Sequence, residues 1–238
     1  LNGKKGFVLE EDFLQALTKE IDIIFLCNPN NPTGLLVEKP LLEKILKRCQ
    51  ELDILMAVDE CFLDFVPSPE KYTLKEYLET YDNLFLLKAF TKRYAMAGVR
   101  LGYGLCGNKG LLRKMEGVCQ PWNVSSMAQA AGLAALQERE YVEKGRQVTF
   151  QELAYLKEEL AALGYPVYPS QANYVFFTGP ADLYEKLEQK KILIRDCSNY
   201  TGLSKGYYRV AVKKHEENQQ LIRALKEIDR TKVENVIL

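Results

Sequence analysis

Histidine occurs once in the 238 residues, at His215 inside the charged stretch VKKHEENQQ. That scarcity excludes a zinc set of the usual kind and leaves a Ser-His or Cys-His nucleophile without support. Cysteine occurs six times, at Cys27, Cys49, Cys61, Cys106, Cys119 and Cys197, but never as C-x-x-C. The spacing therefore spells neither a metal knuckle nor a redox pair, and no metal site is expected. The cysteines lie among apolar neighbours and read as small buried hydrophobes, while His215 reads as solvated. Net charge is lacking too: 32 basic residues balance 32 acidic ones, which gives no electrostatic case for a nucleic-acid or membrane partner. No apolar run approaches the roughly 20 residues of a membrane span. The start, LNGKKGFVLEEDF, has no signal-peptide core, so a cytoplasmic protein is expected. Internal repeats and low-complexity segments are also missing.

What is present is an alternation of short apolar runs with amphipathic stretches, the pattern of strands joined by crossover helices. IDIIFLC (21–27), DILMAVD (53–59) and NLFLLKAF (83–90) read as strands, and KPLLEKILKRCQEL carries leucines at helical spacing. An α/β fold with a mostly parallel, buried sheet follows. From SSMAQAAGLAALQE the texture turns helical, and Leu153, Leu156, Leu160 and Leu163 fall on one face of a long helix stopped by Gly164 and Pro166. The tail mixes strand-like YPVYPSQANYVFF, ILIRDC and YYRVAV with helices near ADLYEKLEQKK and from about Glu216. The expected division is a large α/β domain over 1–140, then a connecting helix and a small α+β domain over 141–238.

Ligand sites in parallel sheets gather at the carboxyl ends of strands. The first run ends in CNPNNPTG, where Asn30 and Asn31 offer amides; the second ends in VDECFLDF with Asp59; the third leads to TKRYAMAGVRLGYG, with Lys92 and, eight residues on, Arg100. Taken singly, these are a turn, a cap and two solvated charges as readily as a site. Taken together they match what pyridoxal phosphate requires. Its aldehyde needs an amine, its pyridine nitrogen a carboxylate, and its phosphate cationic and backbone donors.

In this order, the three motifs resemble the type I pyridoxal-phosphate enzymes, the aspartate aminotransferase superfamily. The resemblance implies that Asn31 donates to the cofactor's 3-oxygen, that Asp59 partners the pyridinium, and that Lys92 is the Schiff-base and proton-transfer lysine. It also implies that Arg100 contacts the phosphate and that Arg209, in YYRVAV, clamps the substrate α-carboxylate. A homodimer acting on a small amino-acid substrate is implied as well. A narrower resemblance, carried by AFTKRYAMAGVRLGY, ILIRDCSNYTGL and YYRVAV, is to the threonine-phosphate decarboxylases of cobalamin biosynthesis and their relatives, the histidinol-phosphate aminotransferases. It places Arg195, fourteen residues before Arg209, on the acidic groups of the substrate and adds Asn173 to the substrate-binding set. A surface ion pair with Asp196 is the other reading of Arg195. Decarboxylation, transamination and a non-catalytic aminotransferase-like module all stay open, although a binding scaffold would need neither Lys92 nor Asp59.

The pattern departs from these relatives in places. Where many carry a tyrosine three residues after the aspartate, this chain has Phe62; where a hydroxyl commonly stands three residues before the lysine, it has Ala89, preceded by Lys88. Thr91 is expected to supply the missing hydroxyl to the phosphate. Only 27 residues precede NPNNPTG, where relatives have well over a hundred. The expectation is a fragment that lacks the glycine-rich phosphate cradle and the ring-stacking aromatic and that by itself binds cofactor weakly and is inactive.

Overall fold

The computed structural model describes residues 3–236, which group into two compact units. The first is built on Val8–Asn30 and Leu36–Lys144; the second takes Asn31–Leu35 and the chain from Gly145 on, with the first residues through Phe7.

In the first unit β1 (Ile23–Cys27), α1 (Lys39–Glu51), β2 (Leu55–Asp59), β3 (Leu84–Ala89), α2 (Phe90–Arg93), β4 (Gly102–Cys106), α3 (Lys109–Val118) and α4 (Ser126–Ala135) follow in order. The sheet runs β1-β2-β3-β4. Its first three strands are parallel, with Cys27 opposite Asp59 and Asp59 opposite Leu87, so their carboxyl ends lie side by side. Three consecutive residues are buried in β2 and three in β3, as befits the central strands of the sheet, whereas Ile23 and Phe25 of β1 are exposed. Helix α1 covers it with Leu42, Ile45, Leu46 and Cys49, one stripe at helical spacing. These pack with Ile54, Met56, Val58, Leu84 and Leu86 in a continuous core. Its chain turn is made by Asp53 at φ +60°.

Strand β4 has no counterpart among the apolar runs that mark the other strands of this sheet. It pairs antiparallel with β3, Leu87 opposite Gly104. Its glycines disguise it, yet they are what the packing needs: a Cβ on Gly104 would lie 2.2 Å from the Phe85 ring.

The long helix α5 (Arg139–Ala162) leads to β5 (Tyr174–Thr178), α6 (Leu183–Gln189), β6 (Arg195–Asp196), β7 (Tyr207–Ala211) and α7 (His215–Val236). In the second unit the sheet runs β5-β7-β6, all pairs antiparallel. One face carries Val175, Phe177, Tyr208 and Val210 against Leu153, Leu156 and Leu160 of α5 and Leu221, Ile222 and Leu225 of α7. The other face gathers Phe7, Phe176 and Cys197 with Tyr168 and Tyr207. This is the α+β texture expected of the tail, although ILIRDC yields only two strand residues. Gly164, at φ +81°, ends the turn after α5 as its lack of a side chain allows. Among the described residues no helix is long and apolar enough to cross a membrane.

Candidate active site

The first unit holds the lysine and the aspartate. Asp59 ends β2, half-buried, and its Oδ1 accepts from the Cys61 N–H at 2.9 Å, a local turn bond of the kind short carboxylates favour. Burial, and after it the hydrogen bond and negative charge of Asp59, push the Cys61 thiol up to about 12. It is therefore a protonated filler rather than a nucleophile. Lys92 lies on the single turn of α2, directly after β3. Its side chain is exposed, with Nζ 5.6 Å from the centroid of the Phe62 ring, and no described carboxylate pairs with it. An unpaired amine against an aromatic face is open to react. Thr91 beside it is half-buried. Arg100 adopts φ +57° after a short 3-10 turn, and its guanidinium donates to the Ala97 carbonyl at 3.3 Å, otherwise facing solvent. In the turn after β1, Asn28 is fully buried and structural, accepting from the Val37 N–H and donating to the Tyr72 carbonyl.

Two residues that the motifs conceal stand next to these. Glu60 has a side chain 0% exposed and pairs with Lys88 Nζ at 2.6 Å. It also accepts from the Thr73 hydroxyl and the Leu74 N–H. A strand lysine in an apolar run was the available signal for a buried counter-charge.

The second unit holds the arginines. Arg195 and Arg209 are directly opposite one another across the β6–β7 ladder. Residues so placed share a face, and like charges there repel. Arg209, half-buried, lies 4.9 Å over the Tyr174 ring and donates to Asn31 Oδ1. Arg195 lies 5.7 Å over the Tyr200 ring and donates to Asn199. The Tyr200 hydroxyl donates in turn to Asn31 Oδ1 at 3.3 Å. The ion pair between Arg195 and Asp196 does not form, because Asp196 accepts from the Ser198 N–H and hydroxyl instead. Neither arginine has a carboxylate partner among the described residues. Asn173, just before β5, has a buried Oδ1 without a partner. Asn31, Arg195 and Arg209 are thus brought together around Tyr200, which sequence reasoning passed over. Its ring two residues after Asp196-Cys197-Ser198 carried no periodic signal.

Two residues outside the site behave differently from expectation. His215 is half-exposed rather than simply solvated: its Nδ1 lies 2.9 Å from Glu152. Cys119 is exposed rather than buried, whereas Cys49 and Cys197 are buried as read.

The profile of the family described as "Aminotransferase class I and II" matches residues 5–225 of this chain. A threonine-phosphate decarboxylase of Salmonella typhimurium is 37% identical over 232 residues, covering 96% of this chain and 63% of the relative. A histidinol-phosphate aminotransferase of Methanococcus aeolicus is 32% identical, covering 94% and 61%. Among solved structures, a histidinol-phosphate aminotransferase from Clostridium acetobutylicum superimposes with a TM-score of 0.90 at 29% identity, over 95% of this chain and 70% of that one. The chain thus spans less than two thirds of the length of these curated relatives.

Proposed function

The chain belongs to the class I and II aminotransferase family, and from that premise we propose that the intact protein is a pyridoxal-phosphate enzyme that decarboxylates L-threonine O-3-phosphate. The observation that carries this reading is the opposed pair Arg195 and Arg209, with no carboxylate among the described residues to neutralise it. Two adjacent guanidiniums suit a substrate bearing two anionic groups, since each planar fork fixes a carboxylate or phosphate in direction as well as place.

The family uses pyridoxal phosphate, and the residues present fit it: Lys92 offers an amine with no competing ion pair among the described residues, and Asp59 a carboxylate at the neighbouring strand end. Asp59 would hold the ring nitrogen, Asn31 the 3-oxygen, and Arg100 with Thr91 the phosphate. When bound, the cofactor supplies an electron sink for the bond broken at the substrate Cα. The chain's own residues do the rest. Lys92 Nζ holds or moves the proton at Cα, and the apolar Phe62 ring beside it limits its solvation. Arg209 grips the α-carboxylate and Arg195 the second anionic group, so the pair decides which bond at Cα is aligned to break. A homodimer in the cytoplasm, serving cobalamin synthesis, belongs to the same proposal.

The test offers the intact enzyme L-threonine O-3-phosphate, with carbon dioxide and aminopropanol phosphate measured. A parallel reaction offers histidinol phosphate with 2-oxoglutarate, with glutamate measured. Carbon dioxide in the first is the expected result. Ready formation of glutamate without any carbon dioxide replaces the decarboxylase with an aminotransferase of the histidinol-phosphate type.

A further inference from the structure

Arg195 and Arg209 stand directly opposite one another on β6 and β7, and each guanidinium lies over a tyrosine ring. Arg209 is 4.9 Å from the centroid of Tyr174 and Arg195 is 5.7 Å from that of Tyr200. The two seats are built differently. Tyr174 opens β5, is buried, and is fixed in the ladder opposite Ala211. Tyr200 belongs to no strand or helix but to the connection from β6 to β7, where its N–H donates to the Cys197 carbonyl at 3.1 Å and its carbonyl accepts from the Leu203 N–H at 3.0 Å. Its ring packs against the buried cluster of Phe7, Phe176 and Cys197.

The hydroxyl of Tyr200 joins the two seats. It donates to Asn31 Oδ1 at 3.3 Å, the same oxygen that accepts from Arg209, so the supports of both arginines meet at one atom. Arg195 needs such a support more than Arg209 does. It is exposed on a two-residue strand at the edge of the sheet, and its guanidinium donates to Asn199, the residue before Tyr200. Like charges opposite one another on a ladder repel, and a long side chain gains rotamer freedom by swinging into water. The Tyr200 ring opposes both tendencies, because its face attracts the cation.

We propose that Tyr200 is a positioning residue that sets specificity for the second anionic group of the substrate: its ring holds Arg195 beside Arg209, and its hydroxyl fixes that ring against Asn31. The inference rests on the roles of the two arginines given above, with Arg209 on the α-carboxylate and Arg195 on the phosphate. A ligand that carries both groups then meets two guanidiniums already in place, and the cost of ordering Arg195 does not fall on binding.

The test uses the intact enzyme with its cofactor and two ligands that lack the amino group and so do not react, 3-phosphooxybutanoate and 3-hydroxybutanoate, which differ in the phosphate. Dissociation constants are measured by calorimetric titration for the parent, Tyr200→Leu, Tyr200→Phe, Arg195→Ala and the double variant Tyr200→Leu with Arg195→Ala. Tyr200→Leu is expected to weaken the phosphorylated ligand about three- to tenfold, the scale of one cation held on an aromatic face, and the other ligand by less than about twofold. Tyr200→Phe, which keeps the ring, should restore most of the lost discrimination. In the Arg195→Ala background Tyr200→Leu should add nothing, since it acts through that arginine. If Tyr200→Leu does not fold, Tyr200→Met, an unbranched apolar filler, should show the same selectivity. An unchanged phosphorylated ligand, or equal weakening of both ligands, overturns the proposal and makes Tyr200 a packing residue alone; so does an effect of Tyr200→Leu that persists without Arg195. A parent enzyme that binds the two ligands equally, with Arg195→Ala matching it, overturns the reading of the arginine pair itself, and this proposal with it.

Discussion

Lys92 and Arg195 make contrasting demands on their surroundings. The amine of Lys92 is exposed, lies against the Phe62 ring and pairs with no described carboxylate, so its removal leaves no buried charge behind. Lys92→Ala is therefore expected to abolish turnover of the intact enzyme while leaving its thermal unfolding nearly unchanged. Borohydride reduction of the parent with cofactor, followed by peptide mapping, should place the pyridoxyl adduct on Lys92; an adduct on Lys88 would contradict the assignment. Arg195 is exposed, stacked on Tyr200 and tied to Asn199. Its contribution is to orientation rather than to stability, and Arg195→Ala should lower kcat/KM for the phosphorylated substrate by about one to three orders of magnitude. A change within twofold in a steady-state assay would remove it from the site. Both residues were legible in the motifs. Glu60 and Tyr200 were not, because partners as far along the chain as Lys88 is from Glu60, or Asn31 from Tyr200, leave no mark in local spacing.

At the scale of elements, α5 and the turn after β1 give the clearest expectations. Leu156 and Leu160 are fully buried between α5 and the second sheet, so Leu156→Ala should cost about 2–5 kcal/mol, read from urea denaturation. Gly34 lies at φ +72°, and a Cβ there would come within 1.8 Å of the Ser170 hydroxyl oxygen. Gly34→Ala thus meets a backbone penalty and a clash together. It should destabilise the second unit, in which Gly34 and Ser170 both lie, and a melting temperature within about 1 °C of the parent would refute the packing. The leucine stripe of α5 was visible as periodicity. The proximity of Gly34 to Ser170 was not, since glycine in CNPNNPTG is explained equally well by the turn alone.

Across the whole molecule the cysteines provide a map of burial that can be checked at once. Cys49 and Cys197 are buried and Cys119 is exposed. Burial raises Cys49 to about 11, Cys61 to about 12 and Cys197 to about 11, against an unperturbed value of 9.0. Of this chain's cysteines, Cys119 should be alkylated first at pH 8, and Cys49 and Cys197 only on unfolding; early modification of Cys49 would contradict the core. Because these three thiols titrate higher folded than unfolded, the stability they contribute is complete below about pH 9 and is lost as pH rises toward 11 to 12. Urea midpoints at pH 8 and 10.5 should therefore fall in that order. On this same scale, the sequence alone determined the three parallel strands, the amphipathic helices and the chemical types at the strand ends, because periodicity and residue type act within a few positions of the chain. The tertiary structure decided what depends on register: that glycine-rich 102–106 is an edge strand against β3, that Lys88 belongs to Glu60 rather than Asp59, and that Arg195 stands opposite Arg209. Strand pairing is settled by packing and hydrogen bonding between segments far apart in the chain, and a shift of one residue would have turned each of those side chains to the other face.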